Sequence, residues 1–137
     1  MKINKVLILV SSILLVLMVG CSSGTNNKIV MEKLIAETTN YEAIGEINDT
    51  KEVQKVKDTM DGIKWEDAKV DMVQHPKYKV HLKNDNNEDE LIYDIWISPK
   101  KDKIEISAEN KGKYVQLNEE KSSELFEMIF GRKLADE

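Results

Sequence analysis

The segment from residue 78 to 83 constrains the fold most. Tyr78, Val80 and Leu82 alternate with Lys79, His81 and Lys83. A period of two puts the first set on one face of a β-strand and the second on the other, so this strand is half-buried. The next apolar segment, residues 91–98 (LIYDIWIS), is apolar on both parities and belongs in the centre of a sheet. Between them, residues 84–90 are polar and read as a hairpin loop.

The flanks extend this pattern in both directions. Residues 41–48 (YEAIGEIN) read as a short strand. Asp49-Thr50-Lys51-Glu52 reads as a capping box, with Asp49 as N-cap and Glu52 reaching back. Val53, Val56, Met60 and Ile63 then fall at helical spacing, and Asp61-Gly62 marks the stop. Trp65 lies just past that end, placed to cover the open turn. Residues 68–73 alternate as a further strand, interrupted by Gln74-His75-Pro76. Ile104, Ile106 and Ala108 alternate with Glu105 and Ser107, and residues 114–117 form a last short strand. Asn118 caps a final helix, with Leu125, Phe126, Ile129 and Phe130 as its buried stripe. Glu119 and Glu120 favour its first turn, and Gly131 ends it. The expected fold is α+β: an antiparallel sheet of five to six strands with two helices packed on one face, across residues 41–137. Residues 29–39 fit a short helix, a strand or a stalk.

The beginning of the chain is a different material. Lys2 and Lys5 precede a mostly apolar run that ends at Leu17-Met18-Val19-Gly20-Cys21. A basic start and a run of roughly 14 apolar residues match a secretory signal peptide, being shorter than the roughly 20 a spanning helix prefers. The end of the run resembles a bacterial lipobox. The resemblance implies diacylglyceryl transfer to the Cys21 thiol and cleavage between Gly20 and Cys21. A thiol suits that step as the strong nucleophile among side chains, and small Gly20 leaves access to the scissile bond. Residues 1–20 are thus read as a signal peptide, and residues 21–40 as lipidated Cys21 and tether. Of 137 residues, 117 would remain after cleavage, with a net charge of −7 rather than −5 once Lys2 and Lys5 are gone. The expected location is the extracytoplasmic face of the cell membrane, held by lipid.

Composition excludes several functions. Cys21 is the single cysteine, so neither a disulfide framework nor a multi-Cys zinc site forms. The acidic balance opposes nucleic-acid binding. His75 and His81 are six residues apart, which is not metal-ligand spacing, and His81 is expected on a solvated strand face. The acidic stretch at residues 85–90 lacks the sixth-position Gly and twelfth-position Glu of a calcium loop and reads as a solvated hairpin tip. Lys77, Lys79 and Lys83 form a basic stripe, for which Glu90 and Asp94 on the next strand offer cross-strand partners. Ser98, Ser107, Ser122 and Ser123 sit in no nucleophile elbow, and no phosphate-binding loop occurs. No metal, cofactor or catalytic residue is expected.

Trp65, Tyr78, Tyr93 and Trp96 are the large aromatics of the middle region. Trp96 falls on the parity opposite Tyr93 and Ile95, so helices on one face would leave it partly open. Trp96, with Tyr78 and His75, is the candidate binding surface.

The chain resembles the small YhfM-like lipoproteins of Bacilli from about Tyr41 onward. The resemblance rests on residues 49–64 followed by Trp65, on Pro76-Lys77-Tyr78, on Tyr93-Asp94-Ile95-Trp96-Ile97, and on Tyr114-Val115-Gln116-Leu117. His75-Pro76 departs from the Pro-Pro associated with that family. The resemblance implies an exported lipoprotein of uncharacterised activity and brings no catalytic residues. The expectation is a non-catalytic binding module for an envelope protein or small ligand. The alternatives are an accessory or inhibitory lipoprotein that docks through an edge strand at residues 77–83, and, third, a small hydrolase.

Overall fold

The computed structural model describes residues 27–69 and 71–137. Gly20 and Cys21, with the signal-peptide and lipidation readings, lie outside them, as does Val70. Seven strands form one sheet: β1 (Lys28–Leu34), β2 (Tyr41–Ile47), β3 (Glu66–Asp67), β4 (Tyr78–Lys83), β5 (Asp89–Ile97), β6 (Ile104–Ala108) and β7 (Lys113–Gln116). Their order is β2-β1-β4-β5-β6-β7-β3, and every pairing is antiparallel. Helix α1 (Thr50–Asp61) joins β2 to β3, and helix α2 (Glu119–Phe130) follows β7. The α+β class and both helices are as expected.

The sheet exceeds the expected five to six strands, and its first strand lies within the stretch assigned to the tether. In β1, Ile29 and Met31 are buried toward the helices, opposite Leu82 and Val80 of β4. Val30 on the other parity blurs the alternation that would have marked the strand. The strand expected at residues 68–73 shrinks to β3, two residues earlier, because the chain leaves the ladder after Ala68 N–H donates to the Gly112 carbonyl at 3.2 Å.

The core lies between the helices and one sheet face. Tyr78, Val80, Ile95, Ile104 and Ile106 meet Val53, Val56, Met60, Leu125, Phe126 and Ile129, all nearly inaccessible to solvent. Each such side chain contributes about 1.5–3 kcal/mol by leaving water. Both helix starts follow their capping residues. The Asp49 carboxylate accepts from Lys51 N and Glu52 N at 3.0 Å, and the Asn118 side chain accepts from Lys121 N at 2.9 Å. Glu52 forms no return bond among the described residues, so the box is reduced to its Asp49 half. Gly131 ends α2 at φ +66°, where an L side chain is strained, while Gly62 ends α1 at an ordinary φ of −78°. Trp65 closes α1 as expected: its indole N–H donates to the Met60 carbonyl at 2.9 Å, and its ring stacks on Tyr93 at 5.9 Å.

Candidate functional site

The site follows from the strand order. β3 lies at one edge of the sheet, while β4, next in sequence, lies in the interior between β1 and β5. Residues 68–77 must therefore travel back across β7, β6 and β5. The described ones, residues 68–69 and 71–77, do so on the face that the helices leave free. This strap is pinned near both ends: Ala68 N–H bonds the Gly112 carbonyl, the Trp96 indole N–H donates to the Gln74 carbonyl at 2.8 Å, the Tyr41 hydroxyl donates to the Pro76 carbonyl at 2.7 Å, and Lys77 N–H donates to the Ile95 carbonyl at 2.9 Å. Val73, between the pins, is fully exposed.

Beneath the strap is a groove of about 550 Å³ whose lining includes His75, Asp94, Trp96, Ser107, Glu109 and Asn110. Strand register sets its floor. Asp94 lies directly opposite Ser107, and Trp96, two residues on and so on the same face, lies opposite Glu105. Asn110 and Glu109 come from the 3-10 turn Glu109–Lys111 at the rim, which Asn110 Nδ2 fastens to the Glu90 carbonyl at 3.1 Å.

Among the described residues Asp94 is the one charged residue that is buried, only 8% exposed. Lys79, its neighbour on β4, holds one carboxylate oxygen at 2.7 Å and stands 3.7 Å from Glu109. Burial pushes the Asp94 carboxyl above its usual range, and Lys79 offsets only part of that push. Burial also disfavours the charged Lys79 amine, but its hydrogen bond to Asp94 and the charges of Asp94 and Glu109 together outweigh this and raise it.

The same face carries a second polar row. His81 is not solvated as expected: Nε2 lies 3.1 Å from Glu32 Oε2 and Nδ1 lies 3.2 Å from Asp89 Oδ1. Lys83 pairs with Asp89 at 2.8 Å rather than with Glu90, because the register shifts at Leu82/Lys83. Burial raises Asp89, but Lys83 and His81 more than reverse this and hold its carboxyl low.

Two of the three residues proposed from sequence meet here, Trp96 and His75. Tyr78 does not. It pairs with Ile95, shares the helix-covered face and is completely buried, so it offers nothing to a ligand on the Trp96 face. Its ring packs on Phe126 and Phe130, while its hydroxyl takes a hydrogen bond from Arg132 at 2.8 Å and donates to Glu137. Nor is β4 an edge strand, since β1 and β5 flank it; the long open edge is β2. Sequence reasoning missed Asp94, Ser107 and Asn110 as site residues. Asp94 did carry a signal, as the one charge inside the apolar LIYDIWIS segment.

The acidic loop after β4 is closed by its own Asn84, whose side-chain oxygen accepts from Asn86 N at 2.9 Å and Glu88 N at 3.0 Å. Among the described residues, no three His, Cys, Asp or Glu side chains are grouped to hold a metal ion, and no helix is long and apolar enough to cross a membrane.

The family model of the YhfM protein matches residues 26–134, which takes in all seven strands and both helices. The chain belongs to the YhfM family. The match includes the strap and both sides of the groove, so the Trp96 site lies within the family's shared domain. Neither curated proteins nor solved structures return a match to the chain.

Proposed function

We propose that this protein is a membrane-anchored extracytoplasmic lipoprotein that binds a ligand in the groove beneath residues 68–77 without transforming it. The observation carrying the binding role is the strap itself. It is pinned over Trp96 and Asp94 and leaves a cleft that sets an aromatic ring beside polar groups able to fix a small ligand's orientation. The apolar run before Cys21 supports the anchored location.

Each half has its own test. Cys21→Ala should release the protein from membranes or leave its precursor uncleaved; unaltered fractionation and migration would remove the anchor. For the groove, ligands are screened while the Trp96 indole N–H resonance is followed, with Trp96→Phe to assign it. A library that never moves that resonance would remove the binding role.

The accessory-protein reading transfers to β2. Among the described residues its seven residues border only β1, so their outer N–H and C=O groups can accept a partner strand. Substitutions in β2 that abolish capture of an envelope enzyme, with Trp96→Phe neutral, would favour that reading.

A further inference from the structure

We infer that the groove beneath residues 68–77 takes an uncharged, hydroxyl-rich ligand, a saccharide in chemical class; this rests on reading the groove as a binding site. The floor specifies the chemistry. The indole N–H of Trp96 is already spent on the Gln74 carbonyl, so only its ring remains to meet a ligand. A ring without its donor suits an apolar surface such as the C–H face of a pyranose. Beside it, Asp94 gives one oxygen to Lys79, and no protein donor takes its other oxygen among the described residues. Directly opposite stands Ser107, whose hydroxyl is able both to donate and to accept. An acceptor next to a donor-acceptor complements adjacent hydroxyls, each of which gives one hydrogen bond and takes another.

Charge separates this ligand from the competing classes. Asp71, Asp94 and Glu109 line the groove on the acidic side, and Lys69 and the His75 imidazole on the other. Lys79 already stands between Asp94 and Glu109. An organic cation seeking Asp94 or Glu109 meets the Lys79 ammonium, and an organic anion meets the carboxylates themselves. A neutral ligand avoids both repulsions and still supplies the hydrogen bonds that buried polar groups require. The volume of about 550 Å³ suits a small oligosaccharide or one stretch of a longer glycan.

The test uses the full-length protein, ¹⁵N-labelled, in a sugar-free detergent. The Trp96 indole N–H is followed during titration with maltotriose, with tri-N-acetylchitotriose, with spermidine and with citrate. The expected result is a saturable shift with one or both trisaccharides and none with the two ions. Ser107→Ala, and separately Asp94→Asn, should weaken saccharide binding about tenfold while leaving the remaining spectrum dispersed. Co-sedimentation with insoluble glycan, competed by the trisaccharide, identifies a polymer source; its absence alongside trisaccharide binding identifies a free sugar. A Trp96 shift with spermidine or citrate but neither trisaccharide would overturn the saccharide assignment and leave the binding groove standing. No shift with any probe, followed by none across the wider library, would overturn both.

Discussion

Ser122 offers the sharpest test of how the fold is held. It lies on α2 with no solvent exposure. Its hydroxyl accepts from Ile104 N–H at 3.0 Å and donates to the Leu117 carbonyl at 3.2 Å, while Leu117 N–H bonds the Ile104 carbonyl at 3.1 Å. The side chain thus stands in for the missing last rung between β6 and the residue after β7, and ties the first turn of α2 to both. Ser122→Ala removes two hydrogen bonds worth about 1 kcal/mol each and strands a buried N–H, whose desolvation adds to the loss. Alanine returns about 0.5 kcal/mol of helix propensity. The net expectation is a loss of about 3 kcal/mol, or about 12–15 °C in Tm for a fold of this size. Urea unfolding followed by circular dichroism should show a lower midpoint at an unchanged slope. Ser123→Ala, one residue along and exposed, gains the same propensity and breaks no such bond, so it should stay within about 0.5 kcal/mol of wild type. If Ser122→Ala melted with Ser123→Ala, the hydroxyl would not be completing the ladder.

Three further outcomes are expected. Glu137 is bound by Tyr78, by Arg132 at 2.6 Å and by Lys77 at 3.1 Å; burial raises its carboxyl, but these partners outweigh burial and hold it below its ordinary 4.5. A depressed acid stabilises the fold fully above its unfolded value and loses that contribution as pH falls through the folded one, so Glu137→Gln should flatten the stability profile below about pH 4.5 in urea melts at a series of pH values. Asp49→Ala removes the acceptor for two backbone donors of α1 and should cost about 1 kcal/mol by the same melts, with Asp49→Ser recovering most of it. Gly131→Ala meets no atom within 4 Å, so any loss, about 1 kcal/mol, reports the left-handed backbone alone, and Gly131→Asn should lose less.

What was legible in the sequence was local. Tyr78, Val80 and Leu82 announced a half-buried strand, and each is buried on the helix face. Asp49, Asn118 and Gly131 marked helix ends because capping is chemistry within one turn. The Lys79–Asp94 pair was readable because neighbouring strands of a hairpin stand in register. What was hidden was order across the sheet. Nothing in residues 77–83 says that β1, some fifty residues earlier, covers that strand's other side. Hence β4 looked like an edge, and Lys28–Leu34 looked like tether. Tyr78 was grouped with Trp96 although their parities differ once the register with Ile95 is known. The groove was invisible for the same reason, since its roof and floor are separated by the fold and not by a spacing.

The path of the chain between β2 and β4 explains why a site arises on this face. α1 carries the chain from one sheet edge to the other over one face, and the strap brings it back over the opposite face. The first crossing buries an apolar stripe of Val53, Val56 and Met60 and is secured by packing. The return has no such stripe, because the sheet beneath it presents Asp94, Ser107 and Lys79 rather than branched aliphatics. It is held instead by discrete hydrogen bonds to Trp96, Tyr41 and two backbone groups. Packing seals a surface, whereas pins hold it at separate points. A pinned strap over a polar floor therefore leaves a cleft by construction. Breaking a partly buried ion pair costs more than replacing it whole with apolar residues. If Asp94 and Lys79 served packing alone, the double replacement Asp94→Leu/Lys79→Met should preserve both stability and ligand binding. If the face exists to bind, stability should survive and binding should not.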